Sequence, residues 1–328
     1  MLTQTIHHDS PSAAQPPLKR VKHISCESKA IPSGVALYKG HPLWDPSWVE
    51  GQGESTLRTR SCVGEEDEHS FDFILYSSWF CPFAQRAWIA AEESGASYKW
   101  VEINPYQVDA AKPGGYTKIA LPLEEKKRLM PEFMQASPRG LVPALRIDAA
   151  GQDKKNILLW ESLPIAEYID SMFGGSKLIK RDDPYEVARQ QIWCAHCTER
   201  VQRQYYKALV AQDKEKEQDA IEEFYQECRA LARAMRDDGP YFDGKDFSLV
   251  DVALAPFWQR FITVGPHYFG LTFPTEEPEF QRLDKWWQAV SARPSVAATI
   301  VCEARLLTSY SDYSKGIATS DSARNYFK

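Results

Sequence analysis

No stretch of the 328 residues is apolar for long enough to cross a bilayer as a helix. No basic excess exists either: 39 Lys and Arg stand against 45 Asp and Glu, a formal net charge of -6, so no positive field draws the chain to DNA or RNA. Cysteine is sparse and odd in number: Cys26, Cys62, Cys81, Cys194, Cys197, Cys228 and Cys302. That usage predicts reduced thiols rather than a disulfide framework. The opening MLTQTIHHDSPSAAQPPLKRVKH lacks the apolar centre of a secretory leader. A cytoplasmic protein is expected, with a mitochondrial address (the opening is basic and acid-poor) or a nuclear one (PLKRVKH) as alternatives. Metal clusters are missing too. WCAHC (193–197) holds Cys194, His196 and Cys197, but no second cluster completes four ligands and the cysteines fall mid-helix, so they read as a packed helical face.

What is present is ordinary globular material, 43% hydrophobic and 26% charged, long enough for two domains. Residues 1–70 are rich in Ser, Pro, Gly and charge and are expected to be mostly flexible. Within them, LYKGHPLWDPSWV (37–49) has aromatics and prolines that could pin a short stretch to the body, and EEDEH (65–69) reads as a solvated acidic patch.

Order is expected from Phe71. FDFILYS (71–77) reads as a buried strand, and 82–94 as a helix stopped by Gly95. SYKWVEI (97–103), GLVPALRI (140–147) and NILLWES (156–162) read as further strands, and 162–175 as a helix ended by glycines. Between them, 104–139 is a variable region with a helix expected over 122–135. The succession predicts an α/β thioredoxin-like domain over 71–176. From 182 to 308 every long stretch reads as helix, a helical-bundle domain. Asp183-Pro184-Tyr185-Glu186 opens a helix running to about 211, another covers 214–237, and Ser248-Leu249-Val250-Asp251 is a capping box. A fourth carries Phe280, Leu283, Trp286, Trp287 and Val290, and 293–307 gives the last. The tail, 309–328, is expected to be loose.

Cys81 stands where the first strand runs into the first helix, in YSSWFCPFAQRAW (76–88). Pro82 suits the first helical position, so Cys81 falls at or beside the N-cap. There the free N–H groups and the positive end of the helix dipole favour the thiolate, the reactive form. Position 84 is Ala, not Cys, so a mixed disulfide at Cys81 needs a thiol from outside to resolve it. Glutathione is the obvious cytosolic candidate. The aromatics Tyr205, Tyr206, Trp258 and Phe261 are candidates to line an acceptor pocket between the domains.

SSWFCPFAQRAWIAAEESG, SPRGLVPAL, WESLPIAEYID and FSLVDVALAPF, in that order and spacing, resemble a cytosolic glutathione transferase. Cys-Pro-Phe-Ala is similar to the omega class in a fungal form, and the resemblance covers about 71–308. It implies Cys81 as catalytic residue, with Phe83 beside it among the glutathione-binding residues. It implies that Val142, before an expected cis Pro143, presents its backbone to the cysteinyl part of glutathione. Glu161 would hold the γ-glutamyl ammonium, and Ser162 with its helix N-terminus the α-carboxylate. The omega pattern has a lysine before a Pro-Glu pair. Here that position is Met130, with Lys127 or Arg128 as substitutes, and the insertion at 108–125 disturbs the match.

The activity implied is glutathione-dependent thiol transfer or reduction on a small electrophilic or disulfide substrate, with glutathione as co-substrate, no metal, and a homodimer as the usual assembly. Conjugation (helped by Ser77 or Ser78), tailoring of one aromatic adduct, glutathionyl-hydroquinone reduction and a noncatalytic interaction role are the alternatives.

Overall fold

The structure, a computed structural model, describes residues 36–38, 71–109, 111, 116–149 and 155–326. The acidic run at 65–69, Cys26, Cys62 and all but two residues of 37–49 lie outside the described residues.

β2 (Phe73–Ser77) is buried along almost its whole length, as a central strand covered on both faces must be. β3 (Tyr98–Ile103) runs parallel to it, β6 (Ala144–Ile147) antiparallel on its other side, and β7 (Ile157–Trp160) antiparallel to β6. β1 (Ala36–Tyr38) adds an antiparallel edge, with Leu37 opposite Glu102, giving the order β1-β3-β2-β6-β7. Alternation along β2 sends Phe73 and Leu75 into one core with α1 (Pro82–Ser94) and α4 (Ser162–Ile169). Tyr76 goes to the opposite core, where its ring lies 5.8 Å from that of Phe133. This is the expected thioredoxin-like layer arrangement, with a helical half behind it.

The variable region differs from expectation in two ways. Tyr106–Val108 (β4) and Tyr116–Ala120 (β5) pair as a second, two-stranded sheet. The helix expected over 122–135 is broken at Met130 into α2 (Leu123–Leu129) and α3 (Pro131–Ala136). Pro131 explains the break, because a residue before proline is pushed out of the helical region, and Met130 has φ −135° and ψ 58°.

In the helical half, α5 (Pro184–His196) starts on the Asp183 cap, whose carboxylate accepts from Tyr185 N and Glu186 N. A π-helical turn, Cys197–Gln202, joins it to α6 (Arg203–Val210). Then come α7 (Lys214–Ala234), α8 (Leu249–Phe269) and α9 (Pro278–Ala292). The last expected helix is instead the short α10 (Pro294–Ala297) followed by α11 (Glu303–Ser314). The capping box of α8 is present: buried Asp251 accepts from Ser248 N (2.7 Å) and Ser248 Oγ (2.9 Å).

The expectation of a loose tail is corrected. The segment completes α11 and adds α12 (Asp321–Tyr326), with Tyr310, Asp312, Tyr313, Ala318, Ser320 and Ala323 buried. Its polar composition misled because these polar groups are used internally: Thr319 N donates to Lys118 O (2.9 Å) and Ala120 N to Thr319 Oγ1 (2.9 Å).

Candidate active site

The loop from β2 to α1 is tied down before it reaches the cysteine. Ser78 Oγ donates to Ile103 O, Trp79 N donates to Glu102 Oε1 (3.1 Å), and Cys81 N donates to Ser78 O (3.0 Å). Cys81, with extended φ −88° and ψ 116°, is the N-cap of α1, and Pro82 follows at the first helical position as the sequence predicts. Its carbonyl accepts from Gln85 N (3.0 Å), closing the first turn. The half-buried Sγ faces Val142 O at 3.9 Å, and the backbone N–H groups of Phe83 and Ala84 donate toward it. The Val142-Pro143 bond is cis, as expected.

Burial adds an influence on the thiol that the sequence reading did not weigh. Burial pushes the Cys81 thiol up from its ordinary value, against the downward pull of the Ala84 and Phe83 N–H groups, Arg260 and Lys118. The helix N-terminus is there, but its pull on the thiol is smaller than the cost of burial.

Two cations missed by sequence reasoning accompany the sulfur. Arg260 of α8 is fully buried; its Nη1 donates to Gln85 Oε1 and Pro256 O (both 2.6 Å) and its Nη2 to Phe80 O (3.2 Å). Lys118, on β5, reaches in from the insertion, and burial lowers it to about 7 against the pull of Cys81 and Asp312. Neither had a signal in the sequence, because Arg260 lies in an apolar helix and Lys118 in a polar stretch without a motif.

The remaining expected site residues are placed as follows. Phe83 supplies its N–H, while its ring packs edge-on against Phe257 (5.2 Å) and beside Arg86 (5.3 Å), at the seam between the domains. Ser162 is buried at the start of α4 and its Oγ accepts from Arg86 Nη1 (3.5 Å). Glu161 is the N-cap, at φ +74°, and its exposed carboxylate meets Arg139 Nη1 at 3.3 Å; Arg139 Nη2 also reaches Asp321 Oδ2 (3.5 Å).

Arg128 is not brought into the site: it is exposed and its described partner is Glu125 (3.9 Å), while Lys127 pairs with Glu124 (2.7 Å). Met130 is buried in the core. The buried lysine of α2 is Lys126, whose Nζ donates to Gly140 O (2.9 Å), two residues before Val142. Only helical phase within α2 separates Lys126 from its two basic neighbours.

Tyr205, Trp258 and Phe261 are core rather than pocket lining; Tyr205 OH donates to Arg260 O (3.0 Å). Tyr206 is buried as well, its hydroxyl 2.8 Å from that of Tyr310. Cys194, Cys197 and Cys228 are buried, and burial raises all three thiols, Cys197 to about 12. Among the described residues no group of His, Cys, Asp and Glu is placed to hold a metal, and no helix is long and apolar enough to cross a membrane.

A thioredoxin-like domain with a cysteine at its first helix N-terminus, joined to an all-helical domain, defines a class: two-domain transferases that handle a thiol tripeptide. Comparison with known proteins agrees. The family model for the glutathione S-transferase N-terminal domain matches residues 80–172, and that for the C-terminal domain matches 198–292. The solved glutathione transferase Omega 3C from Trametes versicolor is 30% identical, with a TM-score of 0.55 over 70% of this chain and 89% of that one. Glutathione S-transferase omega-1 of Sus scrofa is 27% identical over 73% of this chain and 84% of its own length. Glutathione S-transferase GstB of Escherichia coli is 29% identical over 52% of this chain and 78% of its own. The chain belongs to the glutathione transferase family and is omega-class-like.

Proposed function

We propose that this protein is a glutathione-dependent thioltransferase or reductase working through Cys81. The observation that carries the reading is the placement of Sγ: at the N-cap of α1, facing Val142 O, with two backbone N–H groups directed at it. Cys81 attacks the glutathionyl sulfur of a mixed disulfide or conjugate. A second glutathione, docked along the Val142 backbone, resolves the Cys81–glutathione disulfide, since Ala84 occupies the place of an internal resolving thiol. Glu161 would take the γ-glutamyl ammonium, with Arg139 beside it, and the α4 N-terminus at Ser162 the α-carboxylate. Lys126 replaces Arg128 as the candidate cation for the glycyl end.

A serine-assisted conjugation mechanism has less support. Ser77 and Ser78 are buried, and Ser78 Oγ is engaged by Ile103 O. A homodimer is the assembly we propose, and exposed Tyr185 and Ile192, seven residues apart on α5, give its helical half an apolar face. A cytoplasmic location fits the reduced thiols.

The test compares wild type with Cys81→Ser, using glutathione and either a glutathionyl mixed disulfide or a chloroaryl acceptor. The reading expects wild-type reduction of the mixed disulfide and its loss in the variant. Equal activity of the two proteins on the disulfide overturns it.

A further inference from the structure

The end of α1 does not by itself account for an activated sulfur, because burial opposes ionisation there. A further pull toward the thiolate comes from outside the thioredoxin-like core. β5 turns Lys118 inward until it is only 4% exposed. Its Nζ lies 3.6 Å from the centre of the Phe80 ring and 4.7 Å from that of Tyr106. Phe80 immediately precedes Cys81. Held on two aromatic faces, the ammonium is a fixed charge rather than a swinging one. The backbone is clamped as well. Lys118 N donates to Asp312 Oδ2 (2.8 Å), and Lys118 O accepts from Thr319 N (2.9 Å). The insertion and the C-terminal segment thus hold one another, and together they aim a lysine at the loop that carries the thiol.

We propose that Lys118 is a charge partner of Cys81, a positioning residue through which the insertion adds to the pull that the helix terminus exerts on the thiol. The inference rests on Cys81 being the reactive thiol. The other charged and titratable groups facing the pair are Arg86 on α1, Arg260 on α8, Tyr106 on β4, and Tyr310, Asp312 and Tyr313 on α11. Arg260, held by Gln85, Pro256 O and Phe80 O, also favours the thiolate, and Asp312, which accepts from Lys118 N, favours the Lys118 ammonium.

Burial raises Cys81 and lowers Lys118, while each favours the ionised form of the other. They therefore titrate as a pair, in which thiol–amine and thiolate–ammonium differ only in where one proton sits. The chemistry balances without an added oxidant. Cys81–SH and a disulfide G–S–S–R give Cys81–S–S–G and R–SH, the departing thiolate taking the proton. Glutathione then attacks Cys81–S–S–G, regenerating Cys81–SH and leaving as glutathione disulfide.

The test is iodoacetamide alkylation of Cys81, read on the Cys81 peptide by mass spectrometry across the neutral and alkaline range. Wild type, Lys118→Met, Lys118→Gln and Lys118→Arg are compared; the Gln variant stands in if Met fails to fold. Loss of the charge is expected to raise the alkylation midpoint by about 1 to 3 pH units, the range for an opposite charge close by, and Arg is expected to restore most of it. Superimposable profiles overturn the pairing, and so does a rise that Arg does not reverse, which belongs to packing. The readout involves no turnover. A Cys81→Ser protein that keeps full mixed-disulfide activity would therefore refute the proposed function separately.

Discussion

Glu102 gives a prediction whose magnitude can be worked out. It sits fully buried on β3, its Oε1 accepting from Trp79 N (3.1 Å) and its Oε2 from Trp100 Nε1 (3.0 Å), and so it holds the loop that leads to Cys81. Burial raises its carboxyl from 4.5 to about 8, against the pull of those two donors and Arg305. The folded protein therefore keeps the Glu102 proton that the unfolded chain releases. The contribution to stability is fully present below pH 4.5 and is lost as pH rises through about 8. At about 1.4 kcal/mol per pH unit, the gap between those values amounts to at most about 5 kcal/mol. Glu102→Gln cannot titrate, and its amide nitrogen must face one of the two donors, orphaning that donor at about 1–3 kcal/mol. Urea unfolding of both proteins from mildly acidic to mildly alkaline pH is the assay. The variant is expected to be the less stable protein at the acidic end, to show a flatter profile, and to draw level or ahead above pH 8. Parallel profiles across the range would refute the buried-proton argument.

Two further substitutions test the frame of the site. Asp251→Ala leaves Phe242 N, Ser248 N and Trp286 Nε1 without their buried acceptor and is expected to cost on the order of 3–6 kcal/mol in urea unfolding; a loss below about 1 kcal/mol contradicts the capping account. Gly140 has φ +62°, and an added Cβ would lie 2.8 Å from Lys126 Cδ and 3.1 Å from Met134 Sδ. Gly140→Ala is expected to cost about 1–2 kcal/mol for the left-handed backbone alone and to weaken glutathione binding by displacing Lys126; unchanged stability with unchanged titration counts against both points.

Much of this was legible in the sequence, for identifiable reasons. β2 and α1 were visible because a continuous apolar run meets a proline at a helix start, and the α8 cap because Ser248 and Asp251 stand three apart. Cys81, Val142 and Pro143 come together as expected. Arg128 lies exposed beside Glu125 while Lys126 of the same helix is buried, a difference that chain order does not reveal because it does not say which face of a short helix is buried. Lys118 and the ordered tail were invisible for another reason. Their value lies in long-range pairing, Lys118 with Phe80 and Asp312, and Thr319 with β5. A buried lysine in a polar insertion looks like any solvated one until its neighbours are known. The burial of the thiol was not legible, because dipole and N–H groups can be read from position, whereas desolvation cannot.

The most direct measurement is a single turnover on a glutathionylated substrate with no free glutathione, followed by peptide mass mapping. One glutathionyl group should appear on residue 81, absent from every other cysteine and discharged when reduced glutathione is added. An unmodified residue 81 after product has formed, or a glutathionyl group lodged on Cys302 instead, would contradict the account.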